Sequence, residues 1–370
     1  MLSSQPSDID RLVANKFAVK GTFALPGGES EYQVAYDDGS KQKFVELESE
    51  LSAKGLRPEM TGTKDDCVLT IRKTGAAPAP TSRIPALMAL FTLASLVVFS
   101  LLQRLVYAQL IPSFPGYLVF FGFGLTVTAL MAAHEVSQRY SASKRRAGHA
   151  SSYLLPWIPF LPPFIASLGF VGTQRESALN KDHLFDTVIA GPLAILFLAA
   201  ALYSVGELTA VQSAIAFKAS QVAVSINSNA IQVAIDTALS PILPKVAAGH
   251  LLLSPISDAA TVGFILAFIG LLPMASFDGG FLSNLAWGPR TARIATYLSV
   301  LTLLVVDMGT ASYWAIAIVA LLLAGRPFRL KLLDEVSGLS SRRRWVYLVA
   351  LAAAFLALPF PHDLATLPLG

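Results

Sequence analysis

A single cysteine, Cys67, in 370 residues excludes an internal disulfide framework and a zinc site built from several cysteines. Charge is scarce as well. Asp, Glu, Lys and Arg make up 14% of the chain, where soluble domains carry about 25%. Hydrophobic residues make up 54%, and the mean hydropathy is +0.58. This is the composition of a membrane protein. The charges are unevenly spread: residues 1–80 hold an ordinary share, and Leu, Ala, Val, Ile and Phe dominate the remainder. A formal net charge of +4, with Lys and Arg gathered at the edges of apolar runs, leaves no footprint for nucleic acid. The opening "MLSSQPSDIDRLVANK" lacks an apolar core, so no cleavable signal peptide is expected.

Residues 1–75 read as a small soluble α+β domain. "KFAVKGTFAL" and "EYQVAYDD" are β-like and flank the turn-forming "PGGES". In "SKQKFVELESELSAKG", Phe44, Leu47 and Leu51 recur at helical spacing and Gly55 is a stop signal. "CVLTIRK" supplies another strand, and residues 76–83 form a Pro/Ala linker. Residues 84–370 then hold about six or seven apolar segments near the roughly 20 residues that span hydrocarbon. They are expected near 84–103, 116–138, 184–205, 258–276, 293–309, 312–325 and 345–360. The expected fold is a polytopic α-helical membrane protein in the lipid bilayer, with the α+β domain at its N-terminus. Segment 206–257 mixes apolar residues with Ser, Gln and Asn, which suits an interfacial or re-entrant element.

Basic residues set the expected orientation. Lys144, Arg145 and Arg146 follow the second span, and Arg290 and Arg293 precede the fifth. Arg326, Arg329, Lys331 and Arg342 to Arg344 lie between the sixth and seventh. A cytoplasmic N-terminal domain puts all of these on the cytoplasmic side, as the positive-inside rule requires.

Two places combine chemistry with membrane depth. "TALMAAHEVSQRY" sets His134 and Glu135 at the inner end of an apolar run, where ionisable groups are costly and need a reason. His134 and Gln138 share a helix face because they are four residues apart. In the full H-E-x-x-H pattern two histidines so placed hold zinc and the Glu is the general base. The second place is "GLLPMASFDGG", where Asp278 ends another span. Gly279-Gly280 would let the chain break there, and Pro273 frees backbone groups that a neighbour must satisfy. Asp278 reads either as a metal ligand or as the cap of the next helix. His149, His183, His250 and His362 read as ordinary loop, interfacial or tail histidines, with His149 and His183 as substitute ligands in a second reading. Asp186 reads as a structural partner or helix cap.

Taken together these segments resemble the site-2 protease family of intramembrane zinc metalloproteases, closest to its archaeal, cyanobacterial and plastid branch. "HEVSQ" stands where the family has H-E-x-x-H, with the basic "SKRRAG" after it. "LPWIPFLPPFIASLGFVGTQRES" resembles the Pro-rich hairpin and Gly-rich segment that follow, and "LFDTVIAGPLAILFLA" resembles L-F-D-x-x-x-A-G-P-L. "GLLPMASFDGG" aligns on N-L-L-P-x-x-x-x-D-G-G without a gap. The resemblance implies one zinc ion held by His134 and Asp278, with Glu135 as general base. It also implies a transmembrane protein as substrate or client.

Two departures fall on the chemistry. Gln138 stands for the second histidine ligand, and Gly270 for the Asn that opens the second motif, a region assigned to substrate binding. A neutral amide is a poor zinc donor. The resemblance therefore implies a homologue weakened in or without catalysis, which binds transmembrane helices in the protease groove. The alternative is an active intramembrane metalloendopeptidase cutting near the cytoplasmic face, its metal shell completed by Gln138, a water or a loop histidine.

Overall fold

The structure is a computed structural model that describes residues 8–25, 29–74, 84–144, 150–156, 167–174, 177–214, 229–243, 250–306, 313–324 and 330–358. Helix α1 (Asp8–Lys16) opens the N-terminal domain. An antiparallel sheet follows, ordered β1 (Val19–Leu25), β2 (Glu29–Val34), β4 (Cys67–Lys73), β3 (Leu56–Gly62), with α2 (Ser40–Ser52) between β2 and β3 in sequence. Period-two alternation puts Tyr32, Val34, Leu69, Ile71 and Met60 on one face. There they meet Phe44, Leu47 and Leu51 of α2 and Val13 of α1. Gly55, at φ 71°, turns the chain out of α2 into β3.

The β-like runs, the Phe44/Leu47/Leu51 helix and the "CVLTIRK" strand are where the residue pattern puts them. The pattern passes over α1 and β3. In β3 the reason is Pro58, which argues against a strand when its N–H is needed. Alternate residues of β3 bond β4, and Met60 points its N–H and C=O the other way, so Pro58 loses a donor only on the outer edge. That edge is covered. Met60 N–H donates to Leu333 O at 2.6 Å, and Glu335 N–H to Met60 O at 3.0 Å. Leu333 and Leu179 are buried in the same apolar cluster as the domain's own core. Residues 56–62 and 333–335 therefore lie on one side of any membrane the chain crosses.

Three helices among the described residues are long and apolar enough to cross a membrane: Ala86–Leu110, Gly116–Lys144 and Lys181–Leu208, of 25, 29 and 28 residues. They belong to α3 (Ile84–Leu110), α4 (Gly116–Lys144) and α5 (Lys181–Leu208). At 1.5 Å per residue each exceeds the roughly 30 Å of hydrocarbon. Leu90, Phe91, Leu105, Phe121 and Leu125 stand exposed on their outer faces, a surface suited to lipid. The other expected spans coincide with shorter helices. These are α7 (Pro255–Leu271), α9 (Pro289–Val306), α10 (Trp314–Ala324) and α11 (Ser341–Leu356), with α8 (Asp278–Trp287) between α7 and α9. The run expected to continue to 276 stops at Leu271.

Between α4 and α5 in sequence, β5 (Ala150–Pro156) pairs with β6 (Ser167–Gln174). Between α5 and α7 the chain forms the two-residue pair β7 (Val211–Gln212) and β8 (Leu252–Leu253), and α6 (Ala230–Leu239). A capping box of Asn229 and Gln232 starts α6. The "PGGES" turn at 26–28, linker residues 75–83 and most of 215–249 outside α6 lie outside the described residues.

Small residues bring the central helices together. A Cβ on Gly263 of α7 would lie 2.8 Å from Leu130 of α4 and 2.9 Å from Ala199 of α5. On Gly206 it would run into the backbone of Ser257. Such close approach is how helices associate where burial from water offers no driving force.

An ion network ties α5 to α11 and to the N-terminal domain. Arg343 forks onto Asp186 through Nε (2.8 Å) and Nη2 (2.6 Å), and its Nη1 reaches Asp182 at 2.8 Å. Lys41 of α2 holds the same Asp182 at 2.7 Å. Asp186 is thus a structural partner. Arg343→Ala removes the fork from Asp186 and leaves Asp182 with Lys41, so it should lower stability by about 2–4 kcal/mol. Arg343→Lys should recover only part of that, because an ammonium cannot make the fork. Thermal unfolding in detergent measures both.

Candidate functional site

The site lies where α4, α5 and the α7–α8 break meet. His134 and Gln138 fall on the buried face of α4, each 1% exposed, and Asp278 is 2% exposed at the start of α8. His134 Nε2 is 2.6 Å from Asp278 Oδ2 although 144 positions separate them. The sequence expectation that these two residues meet is what the geometry has. Asp278 does not serve as the N-cap: Phe277 holds that position without a side-chain bond, and Asp278 turns its carboxylate to the histidine. One proton shared between the two atoms joins the pair. Nδ1 is buried without a partner.

The α7–α8 break explains how Asp278 reaches His134. Pro273 cannot continue α7, and the backbone groups it frees are taken up by neighbouring helices. Thr296 Oγ1 of α9 accepts from Ala275 N–H at 3.1 Å and stands 3.1 Å from Pro273 O. The Tyr347 hydroxyl of α11 lies 2.9 Å from Gly279 O and 3.2 Å from Leu271 O. Ser276 takes φ 68°, the reversal that starts the next helix. The role expected for Gly279 and Gly280 needs correcting. Neither has positive φ, and the chain breaks before them. Their lack of a side chain serves close approach instead: a Cβ on Gly279 would collide with Leu272 O, and one on Gly280 with Met274 O.

Gln138 has a role that Pro192 defines. Pro192 sits inside α5 and has no N–H, so the carbonyl four residues earlier, Val188 O, loses its helical donor. Gln138 Nε2 donates to that carbonyl at 3.3 Å. Ser141 Oγ donates to Asp186 O at 3.0 Å on one side of it. On the other, Ser137 Oγ lies 3.1 Å from Ala190 O and 2.8 Å from its own helix's His134 O. Three α4 side chains thus stitch α4 to the α5 backbone. Gly191 allows this approach: a Cβ there would lie 2.5 Å from His134 Nε2 and 2.8 Å from Gln138 Nε2.

The remaining candidates make contacts of their own. Glu135 bonds Arg139 at 2.7 Å along α4, and its side chain is 26% exposed where that of His134 is 1%. Gly270 is buried against Pro192, where a Cβ would find ordinary van der Waals room, 3.4 Å from Cγ. His183 is in the first turn of α5, its backbone N–H bonded to Asn180 Oδ1. His250 Nδ1 lies 2.7 Å from Ser213 O. His149 and His362 fall outside the described residues.

No protein-family model, curated protein or solved structure matches this chain.

The donor set does not suit zinc. A catalytic zinc takes three protein ligands and a water. Here two donors of a suitable class converge, and the third neighbour is an amide bonded through its N–H to Val188 O. Among the described residues, no three His, Cys, Asp or Glu side chains are grouped to hold a metal ion. Sequence reasoning missed Phe170, a buried ring stacked on that of His134 with centroids 3.6 Å apart, and the partnership of Gln138 with Val188. The second had a signal: a proline inside an apolar helix announces an orphan carbonyl four residues back.

Proposed function

We propose that this chain is a site-2-protease-like membrane protein in which hydrogen bonds between helices stand where the family holds zinc. In this reading it retains transmembrane segments of client proteins without cutting them. The observation that carries the reading is the state of Gln138. It occupies the second ligand position of the H-E-x-x-H pattern and acts as a donor to α5. The motifs resembling L-F-D-x-x-x-A-G-P-L and N-L-L-P-x-x-x-x-D-G-G support the architecture. In this reading α7, α9, α10 and α11 cross the bilayer with α3, α4 and α5, and the N-terminal domain faces the cytoplasm, as the Lys/Arg asymmetry suggests.

One observation favours a second reading, an intramembrane zinc metalloendopeptidase. His134 and Asp278 converge and Glu135 is retained. Zinc content separates the two. Wild type and His134→Ala, purified in parallel with zinc supplied, should both hold far less than one ion per chain. Near-stoichiometric zinc in the wild type, absent from His134→Ala, would sink the non-catalytic reading and restore the enzyme.

A further inference from the structure

A small pocket of about 40 Å³ opens between helices on the far side of the α7–α8 break from His134. Ala275 of the break, Asn284 of α8, Ala292, Arg293 and Thr296 of α9, and Ala324 of α10 line it. Among the described residues of that lining Arg293 is the one charge, and no carboxylate is present. Arg293 and Arg290 are both exposed, and neither has a hydrogen-bond or ion-pair partner among the described residues. Both lie within the first five residues of α9, whose first turn holds no acidic residue. That is the positive end of the helix dipole, where a cation is opposed and an anion favoured. The size of the pocket narrows what could answer Arg293. It admits more than one water, yet falls far short of the roughly 300 Å³ or more that encloses a whole metabolite. A group that enters end-first and leaves the rest of its molecule outside fits. An apolar track starts at the same place. Ile294, Leu298, Leu301 and Val305 stand exposed in one stripe down α9, with Tyr297 beside them near its head. At 1.5 Å per residue the stripe runs roughly 16 Å.

We propose that this pocket binds the headgroup of an anionic phospholipid of the cytoplasmic leaflet, its phosphate on Arg293 and its acyl chains along the exposed stripe of α9. Charge complementarity selects the anion, and the stripe selects a lipid over a free ion. Basic pockets between membrane helices on the cytoplasmic side take such headgroups, and a tyrosine at that depth is an interfacial anchor. The leaflet rests on the reading that α9 crosses the bilayer with its arginines at the cytoplasmic face; the pocket and its charge do not. Occupancy would reach the His134–Asp278 pair through the break. Thr296, in the pocket wall, is the residue whose Oγ1 accepts from Ala275 N–H and stands against Pro273 O. Gly280, two residues after Asp278, lines the pocket as well. A bound headgroup therefore braces the turn that delivers Asp278.

The test uses the full-length chain in a neutral detergent. Native mass spectrometry counts dioleoyl phosphatidylglycerol, dioleoyl phosphatidylcholine or inorganic phosphate retained per chain, and thermal unfolding of the same samples reads their effect. Wild type should retain one phosphatidylglycerol and unfold at a higher temperature with it. Arg293→Gln, at an exposed position, should weaken that retention about fivefold, the worth of one arginine at an anionic surface. Arg290→Gln, which keeps the pocket's own charge, should weaken it by less. Equal losses in the two variants, or phosphatidylcholine held as firmly as phosphatidylglycerol, overturn the site, because the arginines then meet the headgroup layer at large. Equal stabilisation by inorganic phosphate, lost in Arg293→Gln, overturns the lipid as the source of the anion. The leaflet is scored separately, by labelling Thr291→Cys in a Cys67→Ser background in intact cells with a membrane-impermeant maleimide. Protection until the cells are opened is expected. Labelling from outside would overturn the cytoplasmic leaflet and the orientation reading with it, and would leave the detergent result to judge the pocket.

Discussion

Gln138→His should turn a chain that holds little zinc into one that holds about one ion, the ligands being His134, the new imidazole and Asp278. Geometry favours the gain. Two nitrogens on one tetrahedral zinc stand about 3.4 Å apart, and Gln138 Nε2 is 3.5 Å from His134 Nε2. The second shell is also ready. A ligating histidine usually donates its other ring N–H to a carbonyl or carboxylate, and Val188 O, left without a helical donor by Pro192, faces position 138. Asp278 Oδ2 has to retreat by less than about 1 Å from direct contact with His134 for both to ligate. Metal analysis of wild type, Gln138→His and the double variant with His134→Ala, from one purification, checks it. The single variant should gain zinc and the double variant lose it. No gain in a folded Gln138→His chain would mean that the enclosure of His134 by Gly191 and Phe170, and not the ligand set alone, keeps metal out.

Gly280→Ala should unfold the protein at a markedly lower temperature than wild type. The new Cβ would fall on Met274 O, a backbone atom in the α7–α8 break, where no side chain can swing aside. A cost of about 3 kcal/mol or more is expected, since overpacking against fixed backbone is relieved only by moving the helix. The movement would carry Asp278 away from His134, so loss of stability should come with faster modification of His134 by diethyl pyrocarbonate. Gly338→Ala is the control. Its Cβ meets nothing within 4 Å, and it should unfold at the wild-type temperature. Equal melting of the two variants would show that the break tolerates a side chain and that the tight approach of α8 to Met274 is not needed.

By itself the sequence determined the elements whose residues bury their own periodic face. The apolar runs that became α3, α4 and α5, the Phe44/Leu47/Leu51 face of α2, and the alternation in β2 and β4 are local patterns. Hydrophobic burial reads them directly. It also marked His134 and Asp278, because ionisable groups at the ends of apolar runs are costly unless something answers them. What it could not supply were relations between surfaces. Strand β3 is stabilised by a segment 333 − 60 = 273 positions away, through Met60, Leu333 and Glu335, and no local pattern carries that pairing. The short α1 holds its place through Val13 in the domain core and Lys16 on Glu46 and Glu50 at 2.8 and 3.0 Å. The glycines at 279 and 280 looked like conformational hinges, yet their reason is the carbonyls of another turn lying against them. Gln138 looked like a lost ligand. Only the packing of α4 on α5 showed the carbonyl that Pro192 had left bare, and a buried acceptor without a donor is costly enough to fix what residue faces it.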